Sequence, residues 1–390
     1  MPSDLYDEIY QWFVDLYKAY GFQNMDENMR HIFEDYVRKF DRTSGRLRSF
    51  DYLVGHVSGL RKQRADRPRV LFHQALRRYP GIHREASTSY NLSLFGYGFR
   101  PAFGMASLPY SYYPAHRWYR QLYQGILAKD NALLEECYLS LESLMKKIAP
   151  DCLVLNDDAQ PDSRMLVKVA KGLGIPVAEI QHGVYDGKGL LPAGRVSDHL
   201  FVWGKYTADI FVDSGLRTRD SISILGYPNT IVKENIPHDK PVVFYLGQDY
   251  ENYDPALKVY NDNAIRDVKL VSEELGFQFE YRPHPNNAPP GQEPLNAAIN
   301  RGDVFISFNS TALLEARMRG KLGIQYANYQ LDGGDIMQRA GCHCCTDSAS
   351  LREFLASSPL LVPWDSDDFI EIPEEGPGKR FVSLLNEVMK

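Results

Sequence analysis

The chain has 390 residues, which is too long for one hydrophobic core of ordinary size and favours two domains. Hydrophobic residues make up 44% of it and charged residues 24%, and no run of about 18 apolar residues occurs, so no transmembrane helix is expected. The acidic first stretch argues against a secretory signal, and five cysteines without a regular framework are typical of the reducing cytoplasm, where we expect the protein to act.

The net charge of −6 is unevenly distributed along the chain. Thirteen lysines and arginines lie between residues 38 and 84: Arg38, Lys39, Arg42, Arg46, Arg48, Arg61, Lys62, Arg64, Arg67, Arg69, Arg77, Arg78 and Arg84. This basic segment is either a solvated helical surface or a surface for an anionic membrane or a phosphorylated acceptor, since each basic residue near such a membrane contributes about 1 kcal/mol. Peripheral contact with the inner face of a membrane is therefore one hypothesis. A nucleic-acid partner is not expected, because the whole chain is acidic and no recognition motif occurs.

Helical periodicity dominates the first 65 residues, where apolar side chains recur at helix spacing between Leu5 and Phe40. Residues 69–73 are predicted to form the first buried strand. Residues 86–116 are rich in Gly, Pro, Ser and Tyr and are predicted to form a long loop, and loops of that size are often functional. Helices are predicted at about 117–128 and 130–148.

Strands and helices alternate from Asp151 onward, which indicates parallel sheets covered by helices on both faces. Before residue 230 the predicted strands are 152–155, 176–180, 199–203 and 221–225, and the predicted helices are 162–173 and 206–214. After a linker at 232–240 the predicted strands are 241–246, 277–281, 304–307 and 322–326, and the predicted helices are 262–275, 291–301, 311–319 and 378–389.

This alternation predicts an α/β protein of two Rossmann-like, doubly wound domains facing a central cleft. Residues 1–230 are predicted to form an N-terminal acceptor and catalytic domain, with a helical extension at 1–65. Residues 231–375 are predicted to form a C-terminal nucleotide-donor domain, followed by a helix at 376–390. Such a crevice is a natural ligand site, because the carboxyl ends of strands and the N-termini of helices face it.

Two short segments of the second half carry groups that suit a phosphate. Arg282-Pro283-His284-Pro285 follows a predicted strand, so Arg282 could pair with a phosphate and His284 could donate to a leaving-group oxygen; the alternative is a rigid turn with an incidental histidine. Ser310 and Thr311 lie at a predicted helix start, where free backbone N–H groups and the helix dipole favour an anion; the alternative is ordinary capping.

Further nucleotide contacts are predicted around these segments. Gly247 and Gln248 follow the first strand of this half, where a glycine allows a phosphate to approach the backbone. Glu315, one turn into the helix, could accept hydrogen bonds from sugar hydroxyls or could be a surface glutamate. Neither GxGxxG nor GxxxxGK[ST] occurs, so dinucleotide binding is weakly supported and a P-loop kinase is excluded.

The first half has polar strand ends of its own. Asp157 and Asp158 follow a strand, and one of them could face the cleft as a base or nucleophile; the alternative is an N-cap. The next strand ends in Gln181-His182-Gly183, so that an aspartate and a histidine are expected at the same sheet edge. We predict catalysis by these aspartates and His182, with Gln181, Gly183 and Lys205 contacting the acceptor or sugar.

No metal is predicted. The cysteines of Gly341-Cys342-His343-Cys344-Cys345 are too closely spaced for the usual zinc pairs and have no second pair nearby, so a buried or edge segment with reduced thiols is the better interpretation. No clear DxD motif is present for a nucleotide-bound divalent ion.

RPHP, the Ser310-Thr311 junction and QHG together resemble bacterial GT-B glycosyltransferases of capsule and lipopolysaccharide synthesis, most clearly over about residues 150–325. The similarity is greatest to families that use CMP-activated acidic sugars, namely sialyltransferases, polysialyltransferases and β-Kdo transferases. In the sialyltransferases a His-Pro motif and a Ser-Ser or Ser-Thr motif hold the CMP phosphate, which implies that role for His284-Pro285 and Ser310-Thr311. The β-Kdo transferases have an implied aspartate nucleophile that Asp157 or Asp158 could match, whereas the acidic pair followed by glycine of the sialyltransferases is interrupted here by Ala159.

The resemblance implies a metal-independent transferase that moves Kdo or a sialic-acid-like sugar from a CMP donor to a growing bacterial surface glycan or glycolipid. Wall teichoic acid glycerophosphotransferases have a similar RPHP-like and Ser-Ser pair, so a CDP-glycerol-type phosphotransferase is an alternative. A non-catalytic partner in capsule assembly and a UDP-sugar 2-epimerase, which shares the architecture, also stay open.

Overall fold

The computed structural model describes residues 4–19, 25–42, 64–73, 79–96, 110–185, 193–232, 236, 238–248, 257–329 and 336–390. The chain divides into two compact units, each with a parallel sheet. Unit 1 comprises Met1–His182, Leu190–Thr230 and Glu371–Lys390, and unit 2 comprises Gly183–Gly189 and Ile231–Ile370.

Unit 1 is built on a sheet of seven strands. They are β1 (Arg69–His73), β2 (Asn91–Gly96), β3 (Tyr110–Pro114), β4 (Cys152–Leu155), β5 (Val177–Ile180), β6 (His199–Val202) and β7 (Ile222–Ile224). Their order is β3-β2-β1-β4-β5-β6-β7, and every pair is parallel. Phe72 of β1 lies opposite Leu94 on one side and Val154 on the other. The strand order therefore reverses between β1 and β4, and a ligand is expected beyond the carboxyl ends of strands at such a switch point.

Helices cover both faces of this sheet. A π-helical turn (Asp7–Gln11) leads into α1 (Trp12–Ala19), and then follow α2 (Met25–Arg42), α3 (Pro80–Ser89), α4 (His116–Ala128), α5 (Asn131–Ile148), α6 (Pro161–Gly172) and α7 (Lys205–Asp213). The chain ends in a last helix of this unit, Pro377–Val388. The predicted helices at 117–128 and 130–148 are confirmed, as is helix in the described part of the first 65 residues.

The predicted loop at 86–116 is wrong at both ends. Residues 86–89 complete α3, and strands β2 and β3 follow, with only residues 97–109 lying outside the described part. Tyr110 and Tyr112 are buried on β3, since tyrosine fits a pleated, half-buried surface well. The Gly, Pro, Ser and Tyr composition therefore concealed the edge strand β3 and its neighbour β2.

The C-terminal helix completes the core of unit 1. Phe381 is fully buried, and its ring lies 6.0 Å from that of Phe72 and 5.8 Å from that of Phe201. The helix packs against α3 at a glycine, because a Cβ added to Gly378 would lie 2.6 Å from the carbonyl oxygen of Gly81. The last residues of the chain are thus part of the first folding unit.

Unit 2 is built on a sheet of five strands. They are β8 (Val242–Leu246), β9 (Gln278–Arg282), β10 (Val304–Ser307), β11 (Leu322–Tyr326) and β12 (His343–Cys345), in the order β12-β11-β10-β8-β9 and all parallel. Its helices are α8 (Lys258–Glu274), α9 (Leu295–Arg301), α10 (Thr311–Met318), α11 (Ile336–Arg339) and α12 (Ser348–Ser357); the C-terminal helix of unit 1 is α13. The switch point of this sheet lies between β8 and β10, and β9 flanks it on the far side of β8.

Candidate functional site

The carboxyl ends of β9, β8 and β10 form the candidate nucleotide site of unit 2. Backbone N–H of Gly247 donates to the carbonyl of Arg282 at 2.8 Å, which ties β8 to β9. On the other side, Gln248 Nε2 donates to Ser307 Oγ at 3.0 Å, and that hydroxyl donates to the carbonyl of Leu246 at 2.8 Å. Three neighbouring strand ends are therefore held together by hydrogen bonds.

The Arg-Pro-His-Pro segment is a fixed turn at the end of β9. His284 is half-buried, and its carbonyl accepts from the N–H of Asn287 at 2.8 Å, across a short 3₁₀ turn at Pro285–Asn287. Arg282 NH1 donates to the carbonyl of Glu293 at 2.9 Å. Burial lowers the pKa of Arg282, and the Glu293 carboxylate opposes that change. Arg282 thus anchors the loop that follows the turn, a role that the sequence did not predict.

The Ser310-Thr311 junction is the start of α10. Ser310 is its N-cap, and its hydroxyl accepts from the N–H of Ala312 at 3.3 Å, so the capping interpretation is correct in geometry. The same helix start directs N–H groups and the positive end of the dipole beyond the sheet edge, which suits an anion. Glu315 is half-buried, and it lies four residues after Thr311, on the same face of the helix.

These segments lie close together across the sheet. Only β8 separates β9 from β10, so their ends are two strand spacings, about 10 Å, apart. Gly247 lies between them. A side chain does not fit at this position, since an added Cβ would lie 2.7 Å from the Tyr281 hydroxyl. The structure therefore brings together the turn with His284, the Gly247-Gln248 segment and the start of α10.

Asp157 and Asp158, at the end of β4 in unit 1, have different surroundings. Asp158 is fully buried, and its carboxylate accepts from the N–H groups of Arg195, Val196 and Ser197 at 3.3, 2.6 and 2.8 Å. Asp158 therefore holds the 195–197 turn, and only one of the two carboxylates was expected to act as a base or nucleophile. Asp157 is half-buried and accepts from the N–H of Ala159 at 2.7 Å. Asp157 is therefore the carboxylate of this pair that stays a catalytic candidate.

His182 is half-buried and lies close to Asp157, as the parallel pairing of β4 and β5 requires. Burial raises the pKa of Asp157. A positive charge on His182 lowers the pKa of Asp157 and so partly offsets that rise. A carboxylate whose pKa is raised is a stronger base near neutral pH. The ends of β4 and β5 therefore bring an aspartate and a histidine close together, and their catalytic role stays a prediction.

The three predicted acceptor contacts differ in what surrounds them. Gln181 is 2% exposed, and its Oε1 accepts from the N–H of Trp203 at 2.8 Å, so it joins two strand ends within the fold. Gly183 is half-buried, and a Cβ there would meet nothing within 4 Å. Lys205 is exposed at the start of α7 and pairs with Asp209 one turn later.

Sequence reasoning missed a buried histidine at the switch point of unit 1. His73 ends β1, is 2% exposed, and its Nε2 contacts the Tyr119 hydroxyl and lies 3.2 Å from Asp162 Oδ2. Asp162 lies near Asp157 and contributes to the rise of its pKa. The available signal was a histidine that ends a buried strand, the same signal that singled out His182.

Glu179 was also missed, because it interrupts the apolar strand β5. It is fully buried, and its Oε2 accepts from the N–H of Gly194 at 3.1 Å and from Ser197 Oγ at 3.3 Å. Burial raises the pKa of Glu179 well above its ordinary value, and the negative charge of Asp158 adds to that rise. The protonated form of Glu179 is thereby favoured, and the side chain shares a hydrogen bond with Asp158.

The cysteine-rich segment 342–345 is part of the edge strand β12 and the residue before it. Burial raises the pKa of both Cys342 and Cys345 to about 12, which makes them poor metal ligands and poor nucleophiles near neutral pH. Among the described residues, no group of three or more His, Cys, Asp or Glu side chains is placed to hold a metal ion.

Comparison with solved structures decides the fold. UDP-GlcNAc 2-epimerase from Neisseria meningitidis, solved with UDP-GlcNAc bound, aligns with a TM-score of 0.53 and 13% identity over 82% of this chain and 100% of its own. UDP-N-acetylglucosamine 2-epimerase from Rickettsia bellii aligns with a TM-score of 0.54 and 13% identity over 83% and 97%. The chain has a GT-B-type fold. The predicted pair of Rossmann-like domains is thereby confirmed.

A wall teichoic acid polymerase, TagF, aligns more loosely, with a TM-score of 0.46 and 12% identity over 94% of this chain and 98% of its own. The assignment of the GT-B-type fold depends on the epimerases alone. No protein-family model matches the sequence, and no curated protein matches it significantly.

Proposed function

We propose that this protein is a glycosyltransferase that takes its sugar from a nucleotide-activated donor. The observation that carries the proposal is the convergence of His284, Gln248 and the Ser310 helix start at adjacent strand ends of unit 2. In α/β sheets, ligands bind at this edge and at the switch point, and a helix N-terminus there favours a phosphate.

The donor phosphate would lie between the start of α10 and the turn after β9. Backbone N–H groups near Ser310 and Thr311 would bind its oxygens, and the His284 imidazole would donate a hydrogen bond from the opposite side. Both groups stabilise negative charge as it develops on the departing phosphate, so the proposal requires no metal ion. Glu315, on the same helix face as Thr311, would accept hydrogen bonds from hydroxyls of the nucleotide sugar.

Asp157 would supply the chemistry of unit 1. As a general base, Asp157 would remove the proton of the acceptor hydroxyl. In the same step the acceptor oxygen would bond to the sugar carbon, and the bond between the sugar carbon and the nucleotide phosphate would break. In a double displacement Asp157 would instead bond to the sugar carbon while the bond from that carbon to the nucleotide phosphate breaks. The acceptor oxygen would then displace the Asp157 carboxylate from the sugar carbon, and the proton of the acceptor hydroxyl would pass to solvent. The raised pKa of Asp157 and the neighbouring His182 support either role.

The donor sugar is proposed to be an acidic sugar on CMP, Kdo or a sialic-acid-like sugar, and the acceptor a bacterial surface glycan or glycolipid. The similarity of the His284-Pro285 and Ser310-Thr311 motifs to those of CMP-sugar transferases supports this choice. UDP-sugar 2-epimerisation is a second candidate function, because UDP-GlcNAc 2-epimerases are among the solved structures that align with TM-scores above 0.5, one of them with UDP-GlcNAc bound. A CDP-glycerol-type phosphotransferase is a third.

A donor screen tests these alternatives. Purified protein would be incubated with CMP-, CDP-, UDP- and GDP-linked compounds, with and without a mixture of surface glycans, and the products separated by chromatography and mass spectrometry. The proposal predicts release of CMP that depends on an acidic-sugar donor, together with a new glycosidic product. Conversion of a UDP-sugar into its isomer without nucleotide release would instead support an epimerase, and a phosphodiester product would support a phosphotransferase.

A further inference from the structure

Three aromatic rings form a stacked column at the ligand edge of unit 2. The ring of Phe308 lies 4.3 Å from that of Tyr329 at an angle of 13°, and the ring of Tyr329 lies 4.8 Å from that of Tyr260 at 29°. Phe308 follows β10, Tyr329 follows β11, and Tyr260 lies in the first turn of α8. All three rings are thus attached to elements that meet at the carboxyl edge of the sheet, and Phe308 is only two residues from the Ser310 cap.

The column is closed at one end and open at the other. Phe308 is 3% exposed, whereas Tyr260 is 38% exposed and its neighbour Val259 is 54% exposed. An exposed aromatic ring on a binding edge offers a flat apolar face, and it loses little conformational entropy when a ligand covers it, since the side chain has two rotatable bonds. A planar ligand can therefore extend the column by one ring.

Hydrogen bonds hold the helix turn that carries the outer ring. Asn328 Nδ2 donates to the carbonyl of Tyr260 at 2.8 Å, which joins the start of α8 to the loop after β11. The Tyr245 hydroxyl donates to Asn261 Oδ1 at 3.2 Å, which joins the same turn of the helix to β8. Tyr260 is therefore preorganised by contacts to both neighbouring elements.

We propose that the outer face of Tyr260 stacks on the nucleobase of the donor nucleotide. This inference rests on the proposed function, because it requires the donor phosphate to bind at the Ser310 helix start. Ser310 lies two residues after Phe308, the inner ring of the column. Stacking contributes affinity for any base, since every base has a π face, so the column supports nucleotide binding without selecting cytosine over uracil. Discrimination between bases must then come from other groups of unit 2.

The inference is tested with CMP as the probe. Affinity would be measured by calorimetry for the wild type, for Tyr260→Ala, for Tyr260→Phe, which keeps the ring, and for Val259→Ala, which alters the adjacent exposed side chain. Removal of a stacking ring should weaken CMP binding at least about fivefold, whereas the other two variants should bind CMP about as the wild type does. Thermal unfolding would establish that all four proteins are folded.

A second measurement separates stacking from a supporting role. At saturating protein, the cytosine H5 and H6 resonances of CMP should move upfield with the wild type and Tyr260→Phe, because the base lies over an aromatic ring, and this ring-current shift should be lost with Tyr260→Ala.

Unchanged affinity and unchanged shift in Tyr260→Ala would overturn the inference and leave the proposed function intact. Weaker binding with the shift retained would also overturn it, by showing that Tyr260 acts through the fold of the site. If the wild type bound none of CMP, CDP, UMP and UDP, the proposed function would fail first, and the inference with it.

Discussion

In the proposed mechanism, His284 stabilises the negative charge that develops on the departing phosphate. His284→Ala removes that donor without touching a core residue, so we expect turnover to fall about 10²- to 10³-fold while the thermal unfolding temperature stays the same. His238→Ala is a matched control, since His238 is an exposed histidine of the same unit. Near-wild-type turnover of His284→Ala in a donor-hydrolysis assay would remove His284 from the mechanism.

Asp157 and Asp158 are adjacent in sequence and should respond oppositely to the same substitution. Asp157→Asn should lower turnover about 10²- to 10⁴-fold with little change in stability, because it removes a base or nucleophile. Asp158→Asn should lower the free energy of unfolding by about 1–3 kcal/mol, because the carboxylate serves three backbone N–H groups. Measuring both variants by assay and by chemical denaturation tests the assignment, and the reverse pattern would contradict it.

The pH profile gives an independent test of Asp157. The ionised carboxylate is the active form, so kcat/KM should fall as the pH falls through its pKa. Burial raises that pKa, and the acid limb should therefore lie above the range of an ordinary aspartate, about pH 4. The charged and titratable neighbours of Asp157 are His182, Asp158, Asp162 and Glu179. An acid limb at about pH 4 or below would argue that another group is the base.

At this scale the sequence showed which strand ends carry polar side chains, but not what each side chain contacts. The position of Asp157 and His182 after parallel strands was enough to place them together. Nothing in Asp157-Asp158 shows which carboxylate turns toward the 195–197 turn, because that depends on a segment nearly 40 residues away. His73 was overlooked for the same reason, since its partners Tyr119 and Asp162 belong to separate helices.

The turn at 193–198 hydrogen-bonds to the buried side chain of Glu179. The pKa of Glu179 is raised in the folded protein. At pH values between the ordinary glutamate pKa and that raised pKa, the folded state binds more protons than the unfolded state. The free energy of unfolding therefore falls as the pH rises through this range. Glu179→Gln keeps the hydrogen bonds but cannot ionise. We expect the variant to match the wild type at acid pH and to exceed its free energy of unfolding by on the order of 1 kcal/mol or more at pH 8.

Chemical denaturation between pH 5 and pH 8 measures this difference. Glu135→Gln serves as the control, because Glu135 is exposed in the same unit. A gap between Glu179→Gln and the wild type that stays constant with pH would contradict the prediction, because it would show that folding does not raise the pKa of Glu179.

The contact between α3 and α13 depends on a glycine. A Cβ at Gly378 would lie 2.6 Å from the carbonyl of Gly81 and 2.5 Å from the side chain of Glu85. Gly378→Ala should therefore lower the free energy of unfolding by about 1–3 kcal/mol, although alanine is otherwise the better helix former. Thermal unfolding measures the change, with Ser383→Ala on the exposed face of the same helix as the control. Greater stability of Gly378→Ala would mean that the helices are farther apart than described.

Elements with strong periodicity or apolar runs were predictable, and short edge elements were not. Strands β4 and β8 are uninterrupted apolar runs, and β10 is apolar up to Ser307, as expected for parallel strands buried on both faces. Strands β2, β3 and β12 are at or near sheet edges and contain Ser, Tyr, His or Cys, so their sequences resemble loops. These segments form strands because they pair with strands that are distant in sequence. A single sequence does not show that pairing.

At the scale of the whole molecule, the two units share one plan. Each is a parallel sheet whose order reverses beside its first strand, and Asp157 in unit 1 and Gly247 and Ser310 in unit 2 follow strands that border that reversal. No helix among the described residues is long and apolar enough to cross a membrane. Most of the basic segment at 38–84 lies outside the described residues, so membrane contact remains a prediction. It would be supported by salt-sensitive binding to anionic vesicles.

The central claim is that the phosphate of a donor nucleotide binds unit 2 between the turn after β9 and the start of α10. A crystal structure of the full chain with CMP tests it most directly. The account predicts phosphate oxygens within about 3 Å of the His284 imidazole and of backbone N–H groups at Thr311 or Ala312. A well-ordered nucleotide bound elsewhere, with both segments free of its phosphate, would contradict the account.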